Sequence, residues 1–157
     1  MRETFIIWLF HHTQKLYTYF KAKQAWNLTS KDLLLYPEGT FGNELGKFLK
    51  RNGFELLPKV ERHYAYHLIT GHGTEVKDEI ALQYLCFGNG KRSIYLFGVI
   101  LIGTLVLPEH INYYIKSYTI GKRCNTFHHF NYKKLLNYSL QNLREAIFSK
   151  AEIIQFQ

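Results

Sequence analysis

Three residues have types and a spacing that could bind a metal ion: His63, His67 and Glu79. The two histidines are four residues apart, so on a helix both imidazoles project from the same face. Gly71 ends that helix pattern, and Glu79 falls inside the next one. In a helical hairpin, both His67 and Glu79 would lie roughly 6–8 Å from the turn. Two imidazoles and one carboxylate suit zinc or ferrous iron, with positions open for water or substrate.

The same spacing is compatible with a hydrogen-bonded histidine pair that binds no metal. The chain has eight histidines, and no His-Glu-x-x-His signature supports the pair. On spacing alone, the metal-free pair is the favoured alternative. His72 lies between two glycines and is predicted to be a solvated loop residue. No phosphate-binding loop follows it, because the Lys and Ser/Thr of such a loop are missing.

The elements that would position these residues are helices, because apolar residues recur at helical spacing along almost the whole chain. No segment of five or more residues alternates as a half-buried strand would. The pattern therefore predicts an all-α fold of about six to eight helices. The pattern predicts a first helix from Phe5 to Phe20 and two closing helices capped by Asn131 and Ser139. The others are expected at 42–52, at 58–71, at 75–87 with Thr74 as its cap, at 94–107 and at 109–121.

Length and composition place the chain among globular proteins. Its 157 residues fit one domain, and 46% hydrophobic with 17% aromatic residues excludes a disordered tail. The formal charge of +8 favours an anionic partner: a phospholipid surface, an anionic metabolite or nucleic acid. Two cysteines, Cys86 and Cys124, are too few for a disulfide framework and favour a reducing compartment.

Two apolar runs bear on membrane targeting. The run near the N-terminus has six residues, and a signal peptide needs ~7–15. The longest run, 94–107, is shorter than the ~20 residues of a membrane-spanning helix. We therefore expect no signal peptide, and we expect the long run to be a buried core helix or a segment that dips into a membrane.

The stretch from 63 to 83 resembles the signature of the ubiquinone (coenzyme Q) biosynthesis protein four family. That signature is His-Asp-x-x-His, eleven residues, Glu and an Ile-Ala-Leu-Gln-like continuation. His63, His67 and Glu79 match at the family's spacings, and Ile80 to Gln83 match the continuation. The loop at 36–42 also resembles the family's proline-glycine loop. The likeness covers roughly residues 33–148.

The resemblance implies a single helical domain over 1–157 that binds an isoprenoid lipid or prenylated quinone precursor in an apolar tunnel. It implies a divalent metal at His63, His67 and Glu79, with zinc foremost and iron or manganese as alternatives. Members of that family replace the carboxyl group at ring carbon one of a polyprenylated benzoate with a hydroxyl group, or they organise the enzymes that modify the ring. The apolar helix would supply the lipid-contacting wall, formed by Ile94, Phe97, Gly98, Leu101, Ile102 and Leu105.

The resemblance also implies partners and a location. These are a membrane surface and other quinone-biosynthesis proteins, and not nucleic acid. The positive charge would draw the chain to an anionic surface, and the aromatic content suggests a homodimer. The expected location is cytoplasmic and peripheral to a membrane, or the matrix side of the inner membrane in mitochondria. A basic nucleic-acid binder is the alternative that rests on the charge alone.

One position departs from the family pattern. The acidic residue after the first histidine is Tyr64 here. If the missing Asp orients a histidine, its loss weakens metal binding by ~10–100-fold. Glu75 lies one turn before Glu79 and is a possible extra ligand, whereas Asp78 points about 100° away from Glu79. The sequence thus leaves open a metal-dependent decarboxylase and a non-catalytic lipid-binding scaffold, and it assigns no catalytic residue.

Overall fold

A computed structural model of the chain describes residue 4 and residues 25–153. The predicted helix from Phe5 to Phe20 lies outside the described residues. The described part contains eight α-helices and two short 3-10 helices. The α-helices are α1 (Ser30–Leu34), α2 (Phe41–Asn52), α3 (Glu61–Thr70), α4 (Val76–Gly88), α5 (Ile94–Val106), α6 (Ile111–Arg123), α7 (Leu140–Ile147) and α8 (Lys150–Ile153). The 3-10 helices are Pro108–His110 and Tyr132–Leu135.

The all-α prediction is confirmed. Among the described residues, the β-type pairing is one isolated bridge between Thr40 and Ser139, and no strand forms. The described chain divides into two compact units, one made of 25–71 with 129–153 and the other of 72–128. The single domain over 1–157 and the lipid tunnel stay predictions.

The first unit contains α1, α2, α3, α7 and α8. The Thr40 side chain accepts a hydrogen bond from the Asn43 amide at the start of α2, and Gly53 ends that helix with a left-handed φ of 66°. Both features stabilise helix ends, and the end at Gly53 agrees with the sequence prediction. The buried apolar side chains of this unit include Leu33, Phe41, Leu45, Leu49 and Ile69.

The predicted start of α3 at Pro58 is wrong by three residues. Lys59 has a φ of 68°, which is outside the right-handed helical region, so the helix begins only at Glu61. The helix ends where expected, with Gly71 in the left-handed conformation after Thr70. The shift leaves His63 and His67 inside the helix.

The second unit contains α4, α5 and α6. Its core is formed by Ile80, Ala81, Val99, Leu107 and Tyr114. The predicted cap at Thr74 is wrong, because Glu75 occupies the N-cap of α4 and makes no side-chain capping hydrogen bond. Among the described residues, no single helix is long and apolar enough to cross a membrane; α5 and the segment 108–123 pass that test only as a pair bent by 104°.

The two cysteines are expected to differ sharply in reactivity. Cys86 is fully buried, and burial raises the pKa of its thiol to about 11. Cys124 is half-buried at the end of α6. Because the thiolate is the reactive form, we expect one thiol per native chain to react with Ellman's reagent at pH 8 and two after denaturation. Cys124→Ser should abolish the native reaction and Cys86→Ser should keep it; two fast native thiols would contradict the assignment.

Candidate metal centre

The paired histidines of α3 direct the same ring nitrogen toward each other. Their Nε2 atoms are 3.1 Å apart, and the two rings meet edge to face with centroids separated by 4.6 Å. Two nitrogens bound to one metal at ~2.0–2.1 Å would be about 2.8–3.4 Å apart for bond angles between 90° and 110°. The separation of 3.1 Å therefore fits two ligands of one ion, and it equally fits a hydrogen bond between the two ring nitrogens in the metal-free pair.

Aromatic side chains surround the pair within the same unit. The Phe48 ring of α2 stacks on His67, with centroids 6.1 Å apart and planes within 18°. His67 is 2% exposed, whereas His63 is half-buried. Tyr64, the residue that replaces the family's Asp, is buried and has ring contacts with Phe54 and His63. The position after the first histidine thus contributes an aromatic ring to the packing and no carboxylate.

The end of the histidine helix is held by a residue that the sequence analysis missed. Arg144 of α7 donates hydrogen bonds to the carbonyl oxygens of Leu68 (2.6 Å) and Ile69 (3.2 Å). These carbonyls are among those that an α-helix leaves unpaired at its C-terminus. Burial lowers the pKa of the Arg144 guanidinium, and the charge of Glu44 acts in the opposite direction. Arg144 thus holds the turn that directly follows His67.

We expect Arg144→Ala to destabilise the fold by about 1–3 kcal/mol, because two partly buried carbonyls lose a charged donor. Thermal unfolding followed by circular dichroism measures this loss. Arg144→Lys should recover part of it, since one ammonium can reach one carbonyl but lacks the forked donor geometry. An unchanged midpoint for Arg144→Ala would show that the two hydrogen bonds contribute nothing to stability.

The carboxylates predicted for the site lie at the start of α4. Glu79 is in the first turn of that helix and is half-buried. His63, His67 and Glu79 each offer one ligand atom, and as a set they could hold a metal ion. Glu75 does not belong to that set; it pairs with Lys77 at 2.7 Å, and this ammonium lowers the pKa of the Glu75 carboxyl. A role for Glu75 as an extra ligand stays a prediction.

Two neighbouring polar residues take part in a different cluster of the second unit. His72 is buried, and its Nε2 lies 3.2 Å from the Ser117 hydroxyl, so the prediction of a solvated loop residue is wrong. Its ring stacks on Tyr113, whose hydroxyl donates to Asp78 at 3.1 Å. Burial, and then Asp78, raises the pKa of Tyr113. Asp78 thus accepts a hydrogen bond from Tyr113, which agrees with the expectation that it is a poorer metal ligand than Glu75.

The residues predicted to contact lipid lie on α5. Ile94, Phe97, Leu101 and Leu105 are exposed, and Gly98 and Ile102 are half-buried. Most of this set therefore faces outward from the unit formed by 72–128. Contact with a lipid stays a prediction for all six residues.

Comparison with known proteins adds one finding about the fold. No protein-family model and no curated protein matches the chain. Among solved structures, the chain is similar to a candidate ubiquinone biosynthesis protein from Nostoc punctiforme, with a TM-score of 0.64 and 20% sequence identity. The match covers 77% of this chain and 68% of that one. At this identity the similarity shows that the two chains share a helical fold.

Proposed function

We propose that this chain acts in quinone biosynthesis, where it binds a prenylated ring precursor or isoprenoid lipid and holds a divalent metal at His63, His67 and Glu79. The observation that carries the proposal is that His63, His67 and Glu79 each offer a ligand atom and as a set could hold a metal ion, with the two histidine Nε2 atoms 3.1 Å apart. It is supported by the His-x3-His-x11-Glu spacing, which resembles that of the coenzyme Q biosynthesis protein four family. The fold shared with the Nostoc punctiforme protein agrees with that resemblance.

The donor set favours zinc, with iron and manganese as alternatives. Two neutral imidazoles and one carboxylate are typical of zinc sites with an open position, and the same set also binds ferrous iron. When bound, such a metal supplies a Lewis acid that polarises a substrate carboxylate. Both histidines must be neutral to bind the metal, and the stacked Phe48 ring restricts the orientation of His67. The protein would thus contribute two nitrogens, one of which, on His67, is restricted in orientation by the Phe48 ring.

The proposed reaction is oxidative decarboxylation at ring carbon one of a polyprenyl benzoate. The carboxyl group leaves as carbon dioxide, water supplies the hydroxyl group that replaces it, and dioxygen is the two-electron oxidant and is reduced to hydrogen peroxide. The second candidate is a non-catalytic protein that binds the lipid and organises the enzymes of the pathway. Tyr64 favours this second candidate, because a buried aromatic ring stands where the family pattern has an acid. The formal charge of +8 supports peripheral association with an anionic membrane surface in both cases.

Native mass spectrometry of the purified full chain, combined with elemental analysis, tests the proposal. We expect about one zinc, iron or manganese ion per chain and an adduct with the mass of an isoprenoid lipid. An adduct without metal, after growth with added zinc, iron and manganese, would support the non-catalytic candidate. Neither metal nor adduct would contradict both.

A further inference from the structure

The side chain of Gln83 is buried on α4 with its amide oxygen unpaired. Gln83 is 1% exposed, and its Oε1 atom has no hydrogen-bond partner among the residues that the structure describes. Most buried polar atoms of native proteins do have a partner, so each exception calls for an explanation. Because an amide oxygen only accepts hydrogen bonds, the partner that is missing here is a donor.

Helix geometry places Gln83 on the same side of α4 as Glu79. The two residues are four apart, so they differ by about 40° around the helix axis, and their Cβ atoms are roughly 5–6 Å apart. Ala81, between them, belongs to the core that also contains Tyr114 of α6. Residues two apart differ by about 200°, so Glu79 and Gln83 both lie on the side of α4 opposite Ala81. Gln83 thus shares its side of the helix with a candidate metal ligand.

The surroundings of Gln83 make an unpaired oxygen destabilising. Its neighbours Ile80, Leu82, Leu85 and Cys86 on α4 are apolar and fully buried. A polar atom that loses water in such an environment lowers stability unless it gains a hydrogen bond. Proteins retain groups of this kind mainly at functional sites, where a ligand supplies the partner.

Two other buried side-chain atoms in the described part of the chain lack a partner, Asn43 Oδ1 and the Tyr114 hydroxyl. Asn43 lies on α2 and Tyr114 on α6, whereas the candidate metal ligands lie on α3 and α4. Of the three atoms, Gln83 Oε1 is therefore the one that lies on the same helix as a candidate ligand, one turn away from it.

We propose that Gln83 is a positioning residue of the candidate metal centre, where its Oε1 atom accepts a hydrogen bond from a water molecule that completes the coordination of the metal. The inference rests on the proposed function, since it needs a metal bound to Glu79. A site with three protein ligands keeps one position for water or substrate. The metal makes such a water more acidic, and hence a better hydrogen-bond donor.

The unpaired oxygen predicts opposite effects of Gln83→Met on the metal-free and the metal-bound protein. Methionine has a similar length but is only a weak acceptor. The metal-free chain should gain about 2–6 °C in Tm, because an unpaired buried oxygen is replaced by an apolar group. The affinity for zinc should fall by ~10–100-fold, as is typical when a group that hydrogen-bonds within a metal site is lost. A glutamine with a purely structural role would give a lower Tm and an unchanged affinity.

Two measurements on the full chain test the proposal. Thermal unfolding of chelator-treated protein gives the Tm, and titration with zinc in competition with a chelator gives the affinity. Tyr114→Phe is the matched control, since it removes the unpaired hydroxyl from the core against α4. It should also raise the Tm, but it should leave the affinity for zinc unchanged. Gln83→Glu keeps an acceptor oxygen at the same reach and should bind zinc at least as tightly as the unmodified chain.

Three results would overturn the inference while leaving the proposed function intact, provided that the unmodified chain binds zinc. The first is an unchanged affinity for zinc in Gln83→Met. The second is an equally weak affinity in Gln83→Glu and Gln83→Met, because the oxygen would then have no part in binding. The third is a lower Tm of metal-free Gln83→Met, which would show that the oxygen already has a partner. Failure of the unmodified chain to bind zinc, iron or manganese would contradict the inference and the proposed metal site together.

Discussion

His67→Ala is expected to lower the affinity of the protein for zinc by at least about 100-fold. Loss of residues that merely orient metal ligands costs ~10–100-fold, and loss of a ligand itself should cost more. His67 and His63 present their Nε2 atoms 3.1 Å apart, so removal of either one leaves a single imidazole. Isothermal titration of metal-free protein with zinc, in competition with a chelator of known affinity, measures the change.

Two further variants make the result interpretable. His67 is 2% exposed, so its truncation can also destabilise the core. His63→Ala removes the half-buried ligand of the same pair and should lower the affinity for zinc by the same factor. His110→Ala, outside the pair and in the 3-10 helix before α6, is the matched control and should bind zinc as the unmodified chain does. Full affinity in both His63→Ala and His67→Ala, with thermal unfolding unchanged, would show that the pair is not a metal ligand.

Gly121→Ala is expected to destabilise the fold by about 2–3 kcal/mol, which corresponds to a fall in Tm of roughly 5–10 °C. A Cβ at Gly121 would overlap the Leu85 carbonyl oxygen of α4, and a Cβ at Gly88 would overlap the Tyr118 carbonyl oxygen of α6. The two backbones touch at both glycines, so neither helix can yield to a methyl group without moving the other. This cost exceeds the gain of about 1 kcal/mol that alanine brings to a helix interior.

Gly98→Ala provides the matched control, because a Cβ there meets nothing within 4 Å. The same substitution should then stabilise the fold by about 0.5–1 kcal/mol through helix propensity alone. Differential scanning calorimetry at low protein concentration compares the two variants. A Gly121→Ala midpoint at or above that of the unmodified chain would contradict the close packing of α4 on α6.

Helix content and the spacing of the candidate ligands followed from local patterns in the sequence. The i, i+4 rule predicted that His63 and His67 share a face, and the structure confirms it with the Nε2 pair. The end of α2 at Gly53 was likewise predictable from the local sequence, because glycine adopts the left-handed conformation there without strain. The start of α3 was not predictable, because a positive φ at Lys59 is rare for a residue with a side chain.

The missed features depend on contacts between residues distant in sequence. Arg144 reaches Leu68 and Ile69 from 76 and 75 positions away, and no local pattern signals that contact. His72 lies between two glycines, which suggested exposure, yet Ser117 and Tyr113 of α6 enclose it.

Two glycines have a role that their local sequence does not reveal. The predicted helix ranges end at 87 and 121, whereas α4 includes Gly88 as its last residue and α6 continues past Gly121 to Arg123. Their positions are explained by the approach of the two helices, which only the tertiary structure reveals. A glycine inside a helical pattern is thus also a signal of close helix packing.

The central claim is that His63, His67 and Glu79 together bind one divalent metal. Crystals of the full chain grown with zinc, with diffraction data collected on both sides of the zinc absorption edge, test it most directly. We expect one anomalous peak per chain, bonded at about 2.0–2.2 Å to both histidine Nε2 atoms and to a Glu79 carboxylate oxygen. An anomalous peak on other residues, or none at saturating zinc, would contradict the claim.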